Sequence, residues 1–275
     1  PPFLVPSQAL ENPITPDGTH SGAWYSTSHN GEGFILEVLA GGKAVVYWFT
    51  YDPLQYGKGK DERTQAWFLA DLTSVAGGLR GSLYRFYGNG FGNDLDPSKV
   101  AGEVVGSLDL AFGSDGKAVV HFNVAGRTGE YELQPLVRLH TADDASGLSG
   151  SWYDPNYNGE GLIVQEFAPG KLLMYLFTYT NIDSPASGKL AWSMLTATVA
   201  ADGSITMDST PVITSGGLFG RGFNPDYVSL KNEGQAGLTL TCDGGTLTIT
   251  LPSISPKQHE LKLTRLTNPL NVKCK

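Results

Sequence analysis

Charge is scarce in this 275-residue chain: Asp, Glu, Lys and Arg make up only 17%, and their balance is a formal −8. Phosphate recognition needs clustered Lys and Arg, so no nucleic-acid partner is expected. Long apolar runs are lacking as well. None approaches the roughly 20 residues of a membrane helix, and no membrane insertion is expected. Cysteine is nearly absent. Cys242 and Cys274 are the two present, too few to hold a structural metal by themselves. Either they tie the C-terminal tail to a strand of an exported protein, contributing about 3 kcal/mol, or they are two unrelated thiols. The sequence opens on Pro1-Pro2 with no Met and no signal-like segment of its own, which leads us to expect a mature product after processing. A secreted, extracellular or periplasmic location is therefore expected.

Catalytic signatures are missing too. The chain has no Gly-x-Ser-x-Gly and no His-Glu-x-x-His, and Gly88-x-Gly90-x-Gly92 lacks the βαβ context of a dinucleotide site. Neither enzymatic activity nor a cofactor is expected. Asn93, Asp94 and Asp96 offer closely spaced oxygens for calcium. They lack the Gly and distal Glu of an EF-hand, so Asp94 and Asp96 are weak metal candidates beside a plain solvated turn.

What the chain does hold is Gly (35), Tyr (12) and Phe (12) among many Thr and Val, a composition of strands and tight turns. It also holds a duplication. Ser21-Gly22-x-Trp24-Tyr25-x4-Asn30-Gly31-Glu32-Gly33 recurs 128 positions on as Ser149-Gly150-x-Trp152-Tyr153-x4-Asn158-Gly159-Glu160-Gly161. Tyr47-Trp48-Phe49-Thr50-Tyr51 recurs as Tyr175-Leu176-Phe177-Thr178-Tyr179, and Ala66-Trp67 as Ala191-Trp192. Asn89-Gly90-Phe91 resembles Arg221-Gly222-Phe223. Such a repeat must be recognised before any fold is assigned. It divides the chain into a Pro-rich extended arm (1–18), a first repeat (19–141), a small acidic linker (142–147), a second repeat (148–267) and a tail (268–275).

Alternating, β-branched segments such as Phe34 to Leu39 and Thr246 to Leu251 predict antiparallel up-and-down strands. Eight strands of about six residues with short connections need about 85 residues, which each repeat exceeds. Ala44 to Tyr51 is apolar on both faces. One face then fills a barrel while the other covers the sister repeat or another subunit. Each repeat opens on a Trp and closes on an Arg: Trp24 with Arg138, Trp152 with Arg265. In a closed barrel the first and last strands are neighbours, so each guanidinium can lie over its indole, a contact of about 0.5–2 kcal/mol. Pro135 adds a residue before Arg138 and predicts a bulge there. The expected fold is all-β, two tandem antiparallel β-barrels of about eight strands each.

A Gly-x-Trp opening with an Arg on the last strand resembles the calycin superfamily, and Gly22-Ala23-Trp24-Tyr25 and Gly150-Ser151-Trp152-Tyr153 are similar to avidin-type openings. Trp152-Tyr153-Asp154-Pro155 with the following glycines is also similar to repeats of secreted proteobacterial proteins of unassigned function. The avidin likeness implies that Ser26 and Asn30, and Asp154 and Asn158, point into a cup. The longer Asn-Gly-Glu-Gly loop, with Glu where that family has a small hydroxyl, departs from a biotin-type site.

Two readings of Asn30-Gly31-Glu32-Gly33 and its twin stand. Flanking glycines present Glu32 and Glu160 at loop tips to a ligand, or the loops are tight hairpins with a solvated Glu. Tyr25, Tyr51, Trp67, Tyr153, Tyr179 and Trp192 are either stacking platforms or core. Together these residues lead to a binding protein for a small molecule or glycan. The alternatives are a structural or adhesive subunit that self-assembles through its N-terminal arm, and an inhibitor of a secreted enzyme.

Overall fold

The computed structural model describes residues 13–55, 59, 63–180 and 189–274. Most of the N-terminal arm, 1–12, lies outside these, and with it the self-assembly assigned to it. The chain is all-β. In order, the first repeat forms β1 (Pro13–Ile14), β2 (Gly22–Tyr25), β3 (Gly33–Leu39), β4 (Lys43–Tyr51), β5 (Gln65–Val75), β6 (Gly78–Tyr87), β7 (Ala101–Gly113), β8 (Ala118–Val124) and β9 (Arg127–Arg138). β2 to β9 pair antiparallel in sequence, and β9 returns to β2, closing an eight-stranded barrel to which β1 adds on β7. The two-residue corner Ala125-Gly126 between β8 and β9 has φ of 49° and 81°, the mirror-image turn that matches strand twist. At the closure, Ala23 pairs with Val137 but Trp24 pairs with Pro135, so Leu136 is the bulged residue.

Side chains fill this barrel. Trp48 is fully buried, with ring centroids of Phe34 and Phe122 at 4.9 Å. Cross-strand registry explains the layer, since Phe34, Trp48 and Phe68 face one another on β3, β4 and β5. Tyr47 and Phe49 take the opposite face of β4 and stack on Phe177 and Tyr175 of the second repeat.

The second repeat forms β10 (Gly150–Tyr153), β11 (Gly161–Ala168), β12 (Lys171–Tyr179), β13 (Leu190–Val199), β14 (Ile205–Met207), β15 (Val212–Ser215), β16 (Ser229–Asn232), β17 (Gln235–Thr241), β18 (Gly244–Leu251) and β19 (Ser255–Arg265). β19 again pairs with β10, Trp152 opposite Arg265. Here the expectation of a closed barrel needs correction. β14 and β15 stand where the first repeat has the single strand β6, and β16 and β17 where it has β7. β15 pairs with β16, yet no ladder joins β14 to β17, so the sheet is an open half-barrel. Pro211, which has no N–H, interrupts the first pair of segments. Gly234, with φ +74° and Thr250 O pressed against its Cβ position, bends the second.

The Trp–Arg seals form at both closures. Arg138 Cζ lies 4.5 Å above the Trp24 ring and Arg265 Cζ 4.2 Å above Trp152. Each guanidinium also donates to backbone carbonyls, of Thr19 and Gly116 in one case and Ser149 and Gly147 in the other. Cys242 and Cys274 are disulfide-bonded. Before Cys274 the tail crosses to the first barrel, where Leu270 N donates to Val38 O at 2.8 Å.

Candidate functional site

The two Asn-Gly-Glu-Gly loops are not tips. Glu32 and Glu160 are 3% and 5% exposed, which corrects the expectation of a presented carboxylate. Each lies inside, where Thr50 and Thr178 donate their hydroxyls to it from β4 and β12. The glycines serve close approach: a Cβ on Gly31 (φ +119°) would meet Val228 at 2.9 Å, and one on Gly159 (φ +128°) would meet Val100 at 2.7 Å. Each loop is thus roofed by a valine of the sister repeat. Burial pushes the Glu32 carboxyl up to about 8 and Glu160 up to about 7. Glu160 Oε1 accepts from Gly92 N at 2.9 Å, while Glu32 Oε1 has no such partner. Trp48 Nε1 and Tyr131 Oη sit beside Glu32 and draw its pKa partly back down, without closing a hydrogen bond of normal geometry to it.

Gly92 belongs to a segment that crosses between repeats. Phe91, at 0% exposure, packs in the core of the second repeat, and Phe219 packs in the first barrel, 5.1 Å from Trp48. Each repeat therefore plugs the other. Short 3₁₀ turns at Gly92–Asp94 and Gly220–Gly222, then Pro97–Lys99 and Pro225–Tyr227, keep the 128 spacing. This corrects the pairing of Phe91 with Phe223: its counterpart is Phe219. The cups implied by the avidin likeness are thus filled.

Of the aromatic residues read as stacking platforms or core, Trp67, Trp192, Tyr51 and Tyr179 form the seam between repeats. Trp67 Nε1 donates to Thr178 O at 2.9 Å, and Trp192 Nε1 to Thr50 O at 3.1 Å. Gln65 donates to Trp192 O and accepts from its N–H. Tyr51 and Tyr179 donate to Gly31 O and Gly159 O. These rings are core in the assembled pair.

Beside that seam lies an apolar cleft of about 140 Å³, open on one side. Its walls are Tyr47, Trp67, Leu69 and Phe86 from the first repeat, and Tyr153, Ile163, Phe177 and Leu266 from the second. Asn158 to Gly161 form one edge, with Ser151 and Trp152 nearby. No family model, curated protein or solved structure matches this chain.

Four of the expected ligand-binding residues meet at this cleft: Trp67, Tyr153, Asn158 and Glu160. The others are placed elsewhere. Tyr25 accepts from Gln134 at 2.6 Å, Ser26 bonds Ser28, and Asn30 is exposed. Asp154 accepts from Asn156 N and Lys262 N, which fixes its turn. Asp94 pairs with Lys257, and Asp96 caps the turn at Ser98. No metal-ligating group of three or more such side chains occurs among the described residues. A broader depression of about 690 Å³ beside the linker includes Glu166, which already accepts from Ser146 and Gly170. Sequence reasoning missed Tyr47, Phe177 and Ser151 as site residues. The doubly apolar face of Ala44 to Tyr51 was the signal for the first of them.

Proposed function

We propose that this protein binds a small, flat, largely apolar molecule in the cleft between its repeats. The observation that carries this reading is the cleft itself, a ring-lined space of about 140 Å³ beside a closed barrel and a half-barrel whose interiors are packed with side chains. Apolar cavities near 150 Å³ accept a benzene-sized ring, and drug-sized pockets start near 300 Å³, so the occupant is a single ring or a ring-bearing group. A sugar fits poorly. Both Glu160 oxygens and the Ser151 hydroxyl already have protein partners, and several buried sugar hydroxyls would stay unpaired. Titration calorimetry with toluene, indole and glucose tests the reading. Saturable binding of the ring compounds, abolished by filling the cleft with Leu69→Trp, is expected. Binding unaffected by Leu69→Trp, or no binding, overturns it.

We also propose an exported protein, supported by the Cys242–Cys274 disulfide, and a calycin-like ancestry, supported by the closed first barrel and its Trp24–Arg138 seal. The side-chain-filled interiors of both repeats favour a second reading, a structural subunit of an extracellular assembly. β16, exposed at all four residues and at the end of its sheet, would be the contact. Concentration-dependent association in sedimentation, lost on Leu230→Lys, would favour that reading.

A further inference from the structure

At the base of the cleft runs a chain of hydroxyls that crosses the seam. Tyr47 Oη lies 2.8 Å from Ser151 Oγ, and Ser151 Oγ donates to Glu37 Oε1 at 2.9 Å. Thr267 Oγ1 donates to Glu37 Oε2 at 2.6 Å and accepts from Ser151 N at 2.7 Å. Glu37 comes from the first repeat and both hydroxyl donors from the second; the carboxylate is 1% exposed. Its direction is fixed by inventory. An ionised carboxylate only accepts, so Ser151 must donate to it, and Tyr47 must then donate to Ser151. The Tyr47 oxygen is left with lone pairs and no proton to offer. Tyr47 and Ser151 both line the cleft.

Resting on the reading of the cleft as a ring site, we infer that it selects rings bearing a hydrogen-bond donor, such as phenols, with the Tyr47 oxygen as acceptor. The chain is specific to this side of the molecule. The corresponding positions across the pseudo-twofold are Tyr175, Ala23 and Gln165, where no hydroxyl relay forms and Gln165 Oε1 has no partner. Ala23 also shows that the fold accommodates alanine at the Ser151 position, buried at 0% exposure.

The test is calorimetry of the full-length protein with phenol, toluene and anisole. Burial pushes Glu37 up to about 7, so titrations run at about pH 8.5, where the carboxyl is ionised. Phenol is expected to bind about fivefold tighter than toluene and anisole, the worth of one ordinary hydrogen bond. Ser151→Ala frees the Tyr47 proton and should shift preference toward anisole, and Tyr47→Phe should erase the preference. Toluene binding as well as phenol does, or a phenol preference surviving Tyr47→Phe, overturns donor selection while leaving the cleft a ring site. If no ring binds, the cleft reading fails, and this inference fails with it. Should Ser151→Ala not fold, Tyr47→Phe decides alone.

Discussion

Glu32 shows what a buried carboxyl does to the molecule's response to pH. Its folded pKa, about 8, lies above its ordinary value because burial disfavours the charge. Between about pH 4.5 and 8 the unfolded chain releases this proton while the folded chain keeps it, so stability falls as pH rises by about 1.4 kcal/mol per unit. His29 and His259, pushed down by burial, lose stability in the opposite direction, below about pH 6.5. Glu37 and Glu160, raised by burial to about 7, add to the same fall up to that value, so the window that isolates Glu32 begins at about pH 7. Native protein should melt lower at pH 8.5 than at pH 7, and Glu32→Gln should flatten the slope over that window and melt higher at pH 8.5. An unchanged slope in scanning calorimetry would refute the burial of this group. The motif was legible as a repeated feature, but not its burial. The cover comes from Thr50, 18 residues on, and from Val228 of the other repeat.

At the scale of elements, strand positions followed from alternation and turn residues, while the places where the repeats differ did not. Pro211 and Gly234 together split two strands that the first repeat keeps whole. The plugs were misread for a related reason. Gly222-Phe223 matches Gly90-Phe91 locally, and only the paired 3₁₀ turns show that Phe219 is the true counterpart. Exchange of plugs makes a directional prediction. Phe91→Ala should cost about 3–5 kcal/mol, as for a fully buried ring, and the damage should appear across the seam. Hydrogen exchange is expected to quicken in β19 of the second repeat, whose His259 ring lies 4.6 Å from Phe91, more than in β6 and β7, which flank the residue. Loss of protection confined to β6 and β7 would mean that the plug acts only at home.

For the molecule as a whole, the repeat order and the outward apolar face of β4 announced a buried partner, and the partner is the sister repeat. What no local pattern encoded is how completely the two depend on each other. Phe219 completes the first core and Phe91 the second, Trp67 donates to Thr178 O and Trp192 to Thr50 O across the seam, and the tail returns to Val38 before its disulfide. Neither repeat contains its own finished interior, so separate unfolding of either would expose the other's core. A single cooperative transition is expected, with van't Hoff and calorimetric enthalpies equal for the whole chain. The disulfide closes a separation of 32 residues, and in the loop-entropy account its loss costs about 3–4 kcal/mol. Because Cys274 follows the segment bound to Val38, Cys242→Ser with Cys274→Ser should lower the melting temperature of both repeats together. Tryptophan signals from the two halves would then still coincide. Two separated transitions, with only the second repeat displaced, would show that the repeats are neighbours and not one folding unit.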